Sequence, residues 1–458
     1  MLTVLKDAGR TLMKSPVFFT LGTVFVLAVL SAAPSSGQQT KRPAVPIEPV
    51  AAILDAFRSY PIVALGEGPH NNEQAHAFRL SLIRNPEFAM TVNDIVVEFG
   101  NSRYQDVMDR FVHGENVPFN LLRQVWQNTT AYGSVWDVPI YEEFFRAVRA
   151  VNASLPRERQ LRVLLGDPPV DWNSSRSIQE QIRDFGTRDA FPLVIVQREV
   201  LAKHRRALLI FGNRHFSRKP EDSTRSLVAL VESMGTRVFS IDTVGDEVDL
   251  EELQPSISNW PTPSLAIIRG TILERTPFKS SPYPVTTVEA GDERFDALLY
   301  LGHPLTITFA RFANQLCGDT EYIRMRSQHS GDPAWDARFK ALCHSPIPVL
   351  PQLWRTYQAR GIAATLALAP TTSASYADGA AALYRLAQAM MTRRKFEDAI
   401  AILEMNAKIF PRDVLLLNTL AEAYAAKGDA TASWRSSWRT LAINRNDRTA
   451  QHALGLDR

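Results

Sequence analysis

The sequence predicts an α/β protein in which a mainly parallel sheet is flanked by helices and followed by a C-terminal α-helical repeat unit. Several short apolar runs each end in a glycine, which is typical of strands buried on both faces of a sheet. These runs alternate with amphipathic segments, which indicates parallel strands connected by helices. The last part of the chain repeats itself with a period of 34 residues, as helical repeats do.

The expected strands and helices alternate from about residue 49 to residue 310. Strands are expected at Ile62–Leu65, Asp94–Phe99, Leu161–Leu165, Ala207–Phe211, Arg237–Ile241, Ser264–Arg269 and Asp296–Leu301. Helices are expected at Ala51–Ser59, Asn72–Ile83, Tyr104–Val112, Phe119–Gln127, Ile140–Asn152, Ser177–Phe185, Phe191–His204 and Leu227–Met234. Because ligands of such sheets bind outside the carboxyl ends of the strands, we expect the polar residues that follow the strands to gather along one edge.

A positively charged segment precedes an apolar run near the N-terminus. Lys6, Arg10 and Lys14 come before the uncharged run Val17–Ala33, and small residues continue to Gly37. This is the layout of a secretory signal peptide, so we expect a signal peptide at 1–37 and a periplasmic or extracellular protein. An uncleaved membrane anchor is the alternative, although the apolar run is marginal for spanning a bilayer.

Charge and composition bound the remaining organisation of the chain. The formal net charge is +3 and no long basic run occurs, which excludes nucleic acid as an expected partner. After a linker at 38–48, the α/β domain is expected at 49–310, and its proline-rich segment 246–296 is interpreted as an insertion or cap near the site. A connecting region at 311–375 has no clear pattern, and the helical repeats are expected at 376–458.

Cys317 and Cys343 are the two cysteines of the sequence. In an oxidising compartment they could pair, and the expected export favours a disulfide over two buried thiols. Neither cysteine has a partner at metal-ligand spacing, which excludes a zinc-finger-type site.

The tail from residue 376 resembles tetratricopeptide repeats. Ala387 aligns with Ala421 and Met390 with Tyr424, and Pro411 closes the first copy in the way typical of these repeats. Two copies are fewer than the three that usually form a stable stack, so we expect this unit to pack against the body of the protein. A plain pair of helical hairpins is the alternative, and docking of a protein partner on the repeats stays open.

The most specific polar motif follows the first strand, from Gly66 to Glu73. Gly68 and Pro69 are typical of a helix start, which would place His70 in the first helical turn, where the helix dipole lowers the pKa of a histidine. Glu73 would lie on the same side of the helix, and Glu67 on the turn before it. A carboxylate beside an imidazole orients a general base. A capping turn with a structural His–Glu pair is the alternative.

Glu98 ends an otherwise apolar strand, where an unpaired carboxylate would be costly. We interpret it as a second acid or a metal ligand, and Arg103 as its expected partner. A buried Glu98–Arg103 ion pair without catalytic function is the alternative.

Other candidates follow the remaining strands. Gly212 is followed by His215 in the same arrangement of strand, glycine and histidine, which favours a role in the site. Asp167, Asp137 and His303 are weaker candidates for substrate binding, because turn aspartates and loop histidines are common.

These residues carry a resemblance to a known superfamily. Gly66-Glu67-x-x-His70, the strand-terminal Glu98 and Gly212-x-x-His215 resemble the motifs of the erythromycin esterase-like superfamily, which also contains ChaN-like haem-associated lipoproteins and TIKI-type metalloproteases. The resemblance covers about residues 55–305. It implies a hydrolase in which His70 is the general base, Glu67 and Glu98 position water, and His215 belongs to the second histidine motif. In the TIKI-type branch, residues matching Glu67, His70, Glu98 and His215 would bind a divalent metal.

Three functions are therefore expected from the sequence. The first is an exported hydrolase that attacks an ester or amide with water activated by His70, since no Gly-x-Ser-x-Gly nucleophile motif occurs. Its catalytic residues would be His70, Glu67, Glu98 and His215. Its substrate-binding residues would be Glu73, Arg103, Asp167, Asp137 and His303. The second is a divalent-metal-dependent hydrolase at the same site, and the third is a haem- or iron-binding protein without catalysis.

Overall fold

The structure is a computed structural model that describes residues 42–131, 135–186, 188–219, 225–244, 257–275, 294–330, 339–340, 343, 349–372 and 376–456. The expected signal peptide at 1–37 lies outside these residues, as do parts of the expected cap at 246–296. Within the described part of the chain, every helix is too short or too polar to cross a membrane.

Seven strands of the described residues form one sheet, which confirms the predicted fold class. The strands are β1 (Ile62–Gly66), β2 (Asp94–Asn101), β3 (Arg162–Asp167), β4 (Ala207–Phe211), β5 (Val238–Thr243), β6 (Ser264–Ile267) and β7 (Ala297–Tyr300). Their order is β3-β2-β4-β1-β5-β7-β6. All neighbouring pairs are parallel except β6 and β7. The carboxyl ends of β1 to β5 therefore lie at one edge.

The sheet is buried on both faces because its strands are apolar at consecutive positions. In β1, Val63 and Leu65 belong to the core on one face, and Ile62 and Ala64 belong to the core on the other. All five residues of this strand are buried. This two-sided burial is what the glycine-bounded apolar runs predicted.

Helices connect and cover the strands. The helices of this part are α1 (Pro49–Ala56), α2 (Glu73–Arg84), α3 (Pro86–Thr91), α4 (Gln105–Val112), α5 (Phe119–Leu122), α6 (Gln124–Gln127), α7 (Pro139–Ala153), α8 (Ile178–Arg183), α9 (Ala190–Ile195) and α10 (Leu227–Glu232). Helix α3 was not predicted from the sequence, although the residues at its start are typical of a helix N-terminus. Asn85 caps the helix through its side chain, and Pro86 occupies the first helical position.

The last part of the chain is a run of helices. They are α11 (Asn314–Cys317), α12 (Thr320–Ser330), α13 (Val349–Thr372, interrupted at Gly361), α14 (Tyr376–Thr392), α15 (Phe396–Ile409), α16 (Val414–Lys427), α17 (Ala430–Ile443) and α18 (Arg448–Ala453). A disulfide joins Cys317 to Cys343, as the sequence favoured. Leu305, which follows β7, shares a core with Leu353 and Trp354 of α13. The helical run thus packs on the body of the protein, while its assignment as tetratricopeptide repeats stays a prediction.

Candidate functional site

Glu67 lies directly after β1 and is fully buried. One carboxylate oxygen accepts a hydrogen bond from Arg79 Nη1 at 2.5 Å, and the other lies 2.9 Å from His70 Nδ1. Asn213 packs so closely against Gly66 that a Cβ atom there would lie 2.0 Å from Asn213 Oδ1, which leaves no room for a side chain at this strand end. Asn213 Oδ1 also accepts a hydrogen bond from the Gly68 N–H at 3.0 Å.

His70 lies in a turn and not in a helix, which corrects the sequence prediction. Gly68 and Asn71 have positive φ angles of 67° and 68°. The helix begins only at Glu73, with Asn72 as its N-cap. The predicted pKa effect of the helix dipole therefore does not apply. The predicted orienting role of Glu73 is not seen either, because Glu73 is exposed and Glu67 holds the ring.

His70 is partly accessible and lies beside a buried aromatic ring. Its side chain is 33% exposed, and its ring lies edge-on to the buried Trp136 with centroids 4.4 Å apart. Near its Cε1 atom is Gly212, where an added Cβ would lie 3.3 Å from Cε1 and 3.6 Å from Glu98 Oε2. Gly212 thus lets His70 and Glu98 approach the same backbone position.

Glu98 and His215 form a second buried acid–histidine pair. Glu98 Oε1 lies 3.2 Å from His215 Nε2, although this contact lacks hydrogen-bond geometry. Glu98 Oε2 accepts a hydrogen bond from the Gly212 N–H at 2.8 Å. On the other side of the imidazole, His215 Nδ1 lies 2.5 Å from Asp189 Oδ1. His215 is therefore enclosed between two carboxylates.

The expected partner of Glu98 is wrong, because the cation beside it is Arg188 rather than Arg103. Arg188 Nη2 donates to Glu98 Oε1 at 2.8 Å. Arg103 instead pairs with Asp171 at 3.0 Å, and both of those side chains are partly exposed. Arg103 is five residues from Glu98 in the sequence, but the strand ends between them. Asn101 turns the chain and caps a short 3₁₀ helix that contains Arg103, so Arg103 does not reach Glu98.

The electrostatics of the two pairs favour charged carboxylates. Burial raises the pKa of Glu67, but Arg79 and His70 outweigh it and lower the pKa overall. Burial likewise raises the pKa of Glu98, and the charge of His215 and its other cationic neighbours bring it well below its usual range.

The two histidines are shifted in the opposite direction. Burial lowers the pKa of His215, but Glu98 and Asp189 outweigh it and raise the pKa to about 9. His215 is thus an imidazolium at neutral pH. Burial also lowers the pKa of His70, and the hydrogen bond and charge of Glu67 outweigh it, so that this pKa is raised.

Asp167 lies beside these pairs at the carboxyl end of β3. Its carboxyl group accepts hydrogen bonds from the backbone N–H of Thr130, at 2.9 Å, and from the Thr130 hydroxyl. Burial raises the pKa of Asp167 to about 8 despite these bonds, and the charge of Glu98 adds to the rise. Asp167 is therefore mostly neutral near pH 7.

Asp137 and His303 have structural partners elsewhere. Both oxygens of Asp137 accept hydrogen bonds from Arg326, at 2.6 and 2.9 Å, in a buried ion pair. His303 caps a short 3₁₀ helix and stacks on Trp354, with centroids 4.7 Å apart. The His303 ring therefore contacts the C-terminal helices. Asp137 also lines a pocket together with Trp126, and the substrate-binding roles of Asp137 and His303 stay predictions.

Glu67, His70 and Glu98 form an acid–histidine group of the kind that could hold a metal ion. One ligand atom from each residue lies within 4.8 Å of the others, so atom type and distance suit a divalent cation. Arg79 and His70 contact the two oxygens of Glu67, and Arg188 and the Gly212 N–H contact those of Glu98. Each carboxylate oxygen has a second lone pair, so these contacts leave metal binding a prediction. The positive charges of Arg79 and Arg188 beside the group would oppose a bound cation.

Sequence reasoning missed three residues of this site: Arg79, Arg188 and Asp189. Arg79 lies on α2, on a face that the apolar pattern of the helix indicates is buried, and a buried arginine needs an acid. That signal was present in the sequence. Arg188 and Asp189 lie in a connecting segment without a motif, so only the fold brings them to Glu98 and His215.

Comparison with known proteins gives only distant likenesses. No protein-family model and no curated protein matches the chain. Similar solved structures include a Bacillus cereus protein with 14% identity and a TM-score of 0.45, which covers 60% of this chain and 95% of that one. A succinoglycan biosynthesis protein has 10% identity and a TM-score of 0.41, covering 59% and 96%. An erythromycin esterase mutant in its open conformation has 13% identity and a TM-score of 0.40, covering 57% and 94%.

Proposed function

We propose that the protein is a hydrolase of the erythromycin esterase-like superfamily that cleaves an ester or amide with a water molecule activated by His70. The observation that carries this proposal is the Glu67–His70 pair, in which Nδ1 is held at 2.9 Å by a buried carboxylate while a third of the side chain stays exposed. Such a pair fixes the tautomer that leaves Nε2 free to accept a proton.

The proposed reaction uses His70 first as a base and then as an acid. Neutral His70 takes a proton from water as the water oxygen attacks the carbonyl carbon. The resulting imidazolium is stabilised by Glu67, whose charge is in turn held by Arg79 at 2.5 Å. His70 then returns the proton to the departing alcohol or amine as the bond to the carbonyl carbon breaks. A positioned base of this kind contributes about 10²–10⁴-fold to the rate.

The second pair would support the first without itself taking a proton. His215 is enclosed by Asp189 and Glu98 and is 3% exposed, so it lacks the access that a base needs. It would keep Glu98 charged and in place beside Gly212. Under this proposal Glu98 is the group that positions the water molecule.

A panel of ester and amide substrates, with wild type compared with His70→Gln, tests the proposal. We expect turnover in the wild type and a loss of about 10²–10⁴-fold in the variant. The wild-type kcat/KM should rise with pH through a pKa above 6.5, because Glu67 raises the pKa of His70 and only the neutral ring is a base. Equal activity in the His70→Gln variant would remove the base assignment.

A metal-dependent hydrolase is the second candidate, because Glu67, His70 and Glu98 bring three ligand atoms within 4.8 Å. A bound metal would act as a Lewis acid toward the carbonyl group. Metal analysis of untagged protein, together with activity measured with and without a chelator, separates the two candidates. Chelator-insensitive turnover by metal-free protein supports the first.

Three further expectations stay predictions from the sequence: export, haem binding, and docking of a protein partner on the helical repeats. The enclosure of His215 between Asp189 and Glu98 disfavours it as a haem ligand. A titration with haem, followed by its Soret band in wild type and His70→Gln, tests haem binding at this site.

A further inference from the structure

Arg188 is an exposed cation attached to a buried carboxylate. Its side chain is 60% exposed, whereas that of Glu98 is 10% exposed, and the two are joined by a 2.8 Å bond from Nη2. The next residue, Asp189, is buried and holds His215. The Asp189 side chain is therefore buried in the protein, whereas that of the neighbouring Arg188 lies at the surface of the site.

The guanidinium of Arg188 keeps most of its hydrogen-bonding capacity. An arginine has five N–H donors in a planar fork that matches the oxygens of a carboxylate or phosphate. Among the described residues, the one hydrogen bond from this side chain goes to Glu98. The remaining N–H groups and the exposed surface are available to a ligand.

Arg188 is linked to His70, the proposed base, through Glu98. Glu98, which it contacts, belongs with His70 to the group whose ligand atoms lie within 4.8 Å of one another. Gly212 lies next to the side chains of His70 and Glu98, and it has no Cβ atom to separate them. A substrate group bound by Arg188 would therefore lie near His70, whose pKa the charge of Arg188 already influences.

The local charges leave Arg188 available to an anion. Glu98 already has the His215 ring beside it, with Nε2 3.2 Å from Oε1, and a hydrogen bond from the Gly212 N–H at 2.8 Å, so it does not depend on Arg188 alone. Asp167, whose charge would compete, is mostly neutral near pH 7 because burial raises its pKa to about 8.

We infer that Arg188 binds an anionic oxygen group at the mouth of the site, either a carboxylate carried by the substrate or the oxyanion that develops when water attacks the carbonyl. This assignment builds on the proposed hydrolysis, because it names the group that would neutralise negative charge beside His70. It also predicts a preference for substrates with an anionic group if the carboxylate is the ligand.

Calorimetric titration with two anions tests the inference without requiring turnover. Benzoate represents a substrate carboxylate, and phenylphosphonate represents the tetrahedral oxyanion. We expect wild type to bind at least one of them, and Arg188→Gln to bind it at least about tenfold more weakly, since hydrogen bonds to charged groups are the strong ones. Arg188→Lys should bind with intermediate affinity, because it keeps the charge but loses the fork. Uncharged benzamide should show no difference between these proteins.

Arg176→Gln is the matched control. Arg176 is similarly exposed at 51% and also pairs with a carboxylate, Asp184 at 2.8 Å, so its loss changes the net charge equally. Binding of the anions by Arg188→Gln as tight as by wild type, or no anion binding by wild type, would overturn the inference. Tighter binding of phenylphosphonate indicates the developing oxyanion, and tighter binding of benzoate indicates a substrate carboxylate.

The anion-binding inference and the hydrolase proposal can fail independently, and the experiments distinguish the two failures. In a His70→Gln background, Arg188→Gln should still weaken anion binding about tenfold, because the assignment depends on Arg188 and not on turnover. Arg188-dependent binding without turnover on any substrate leaves the anion site standing and removes hydrolysis. Turnover that depends on His70, together with anion binding that Arg188→Gln does not change, supports hydrolysis and removes the anion site.

Discussion

Asp189 Oδ1 lies 2.5 Å from His215 Nδ1, and both residues are 3% exposed. The opposite nitrogen of the same ring lies 3.2 Å from Glu98 Oε1. An imidazole enclosed in this way has little access to a substrate, which disfavours proton exchange with it. The two histidines that the sequence offers as a symmetrical pair therefore have different surroundings, because the His70 side chain is 33% exposed and His215 is enclosed.

We predict that Asp189→Asn destabilises the protein and lowers the pKa of His215. A hydrogen bond to a charged group is worth about 1.5–3 kcal/mol, and this one is buried. Chemical denaturation should show a loss of this order in the free energy of unfolding, and NMR titration should show the His215 ring titrating at lower pH. Asp184→Asn is the control, because Asp184 is 54% exposed and a surface ion pair such as that with Arg176 contributes little to stability. Equal effects of the two substitutions would contradict the assignment.

Asp137 is predicted to be a structural residue and not a substrate-binding one. Its carboxylate accepts two bonds from Arg326, whose side chain is 4% exposed. Asp137→Ala would leave a buried guanidinium without its partner, which costs about 3–5 kcal/mol of unfolding free energy. Glu115→Ala should destabilise the protein far less, since the Arg110–Glu115 pair is exposed and such pairs contribute little to stability. A stable Asp137→Ala protein that has only a raised KM would instead support substrate binding.

The sequence predicted the sheet well because every strand carries its own signal. The run ending at Gly66 and the run ending at Phe211 are apolar at every position, and such runs can be stable only when both faces are covered. The same rule placed Glu67, Glu98, Asp167 and His215 along one edge. It could not predict which side chains would touch, since the pairing of Glu98 with Arg188 depends on a segment 90 residues away.

The turn after β1 shows where local reasoning failed. Pro69 suggested a helix start, but Asn72 supplies the side-chain cap that begins the helix, three residues later. Pro69 and His70 thus belong to a turn that Gly68 and Asn71 shape with positive φ angles. The carboxylate that contacts the His70 ring is therefore Glu67 and not Glu73.

We predict that Gly66→Ala severely destabilises the protein. An added Cβ would lie 2.0 Å from Asn213 Oδ1 and 2.9 Å from the backbone oxygen of Ile241, which cannot move without shifting β5. Overpacking of this kind costs at least about 1–3 kcal/mol, and it also displaces the Asn213 that holds Gly68. Thermal unfolding should show a large fall in Tm. The control is Gly318→Ala, where the nearest atoms to an added Cβ lie at 3.9 Å. A Gly66→Ala protein as stable as that control would contradict the packing argument.

His215 and Asp167 are buried groups with raised pKa values, and each should make the protein less stable as pH rises. Glu67 and Glu98, whose pKa values are lowered, act in the opposite direction in acid. The pKa of His215 is raised from 6.5 to about 9, so its contribution to stability is fully present below pH 6.5 and is lost as pH rises through 9. The pKa of Asp167 is raised from 3.8 to about 8, so its contribution is present below pH 3.8 and is lost between 3.8 and 8. Urea unfolding at several pH values measures both slopes.

Asp167→Asn separates the two contributions to this slope. The variant keeps the shape of the side chain and its contact with Thr130, but it cannot ionise. We therefore expect the fall in unfolding free energy between pH 3.8 and 6.5 to be smaller than in wild type, while the fall between 6.5 and 9 that His215 causes remains. Since one pKa unit corresponds to about 1.4 kcal/mol, the effect should exceed the error of such measurements. An unchanged slope below pH 6.5 would mean that Asp167 is charged in the folded protein, and Arg188 would then have a second carboxylate competing for it.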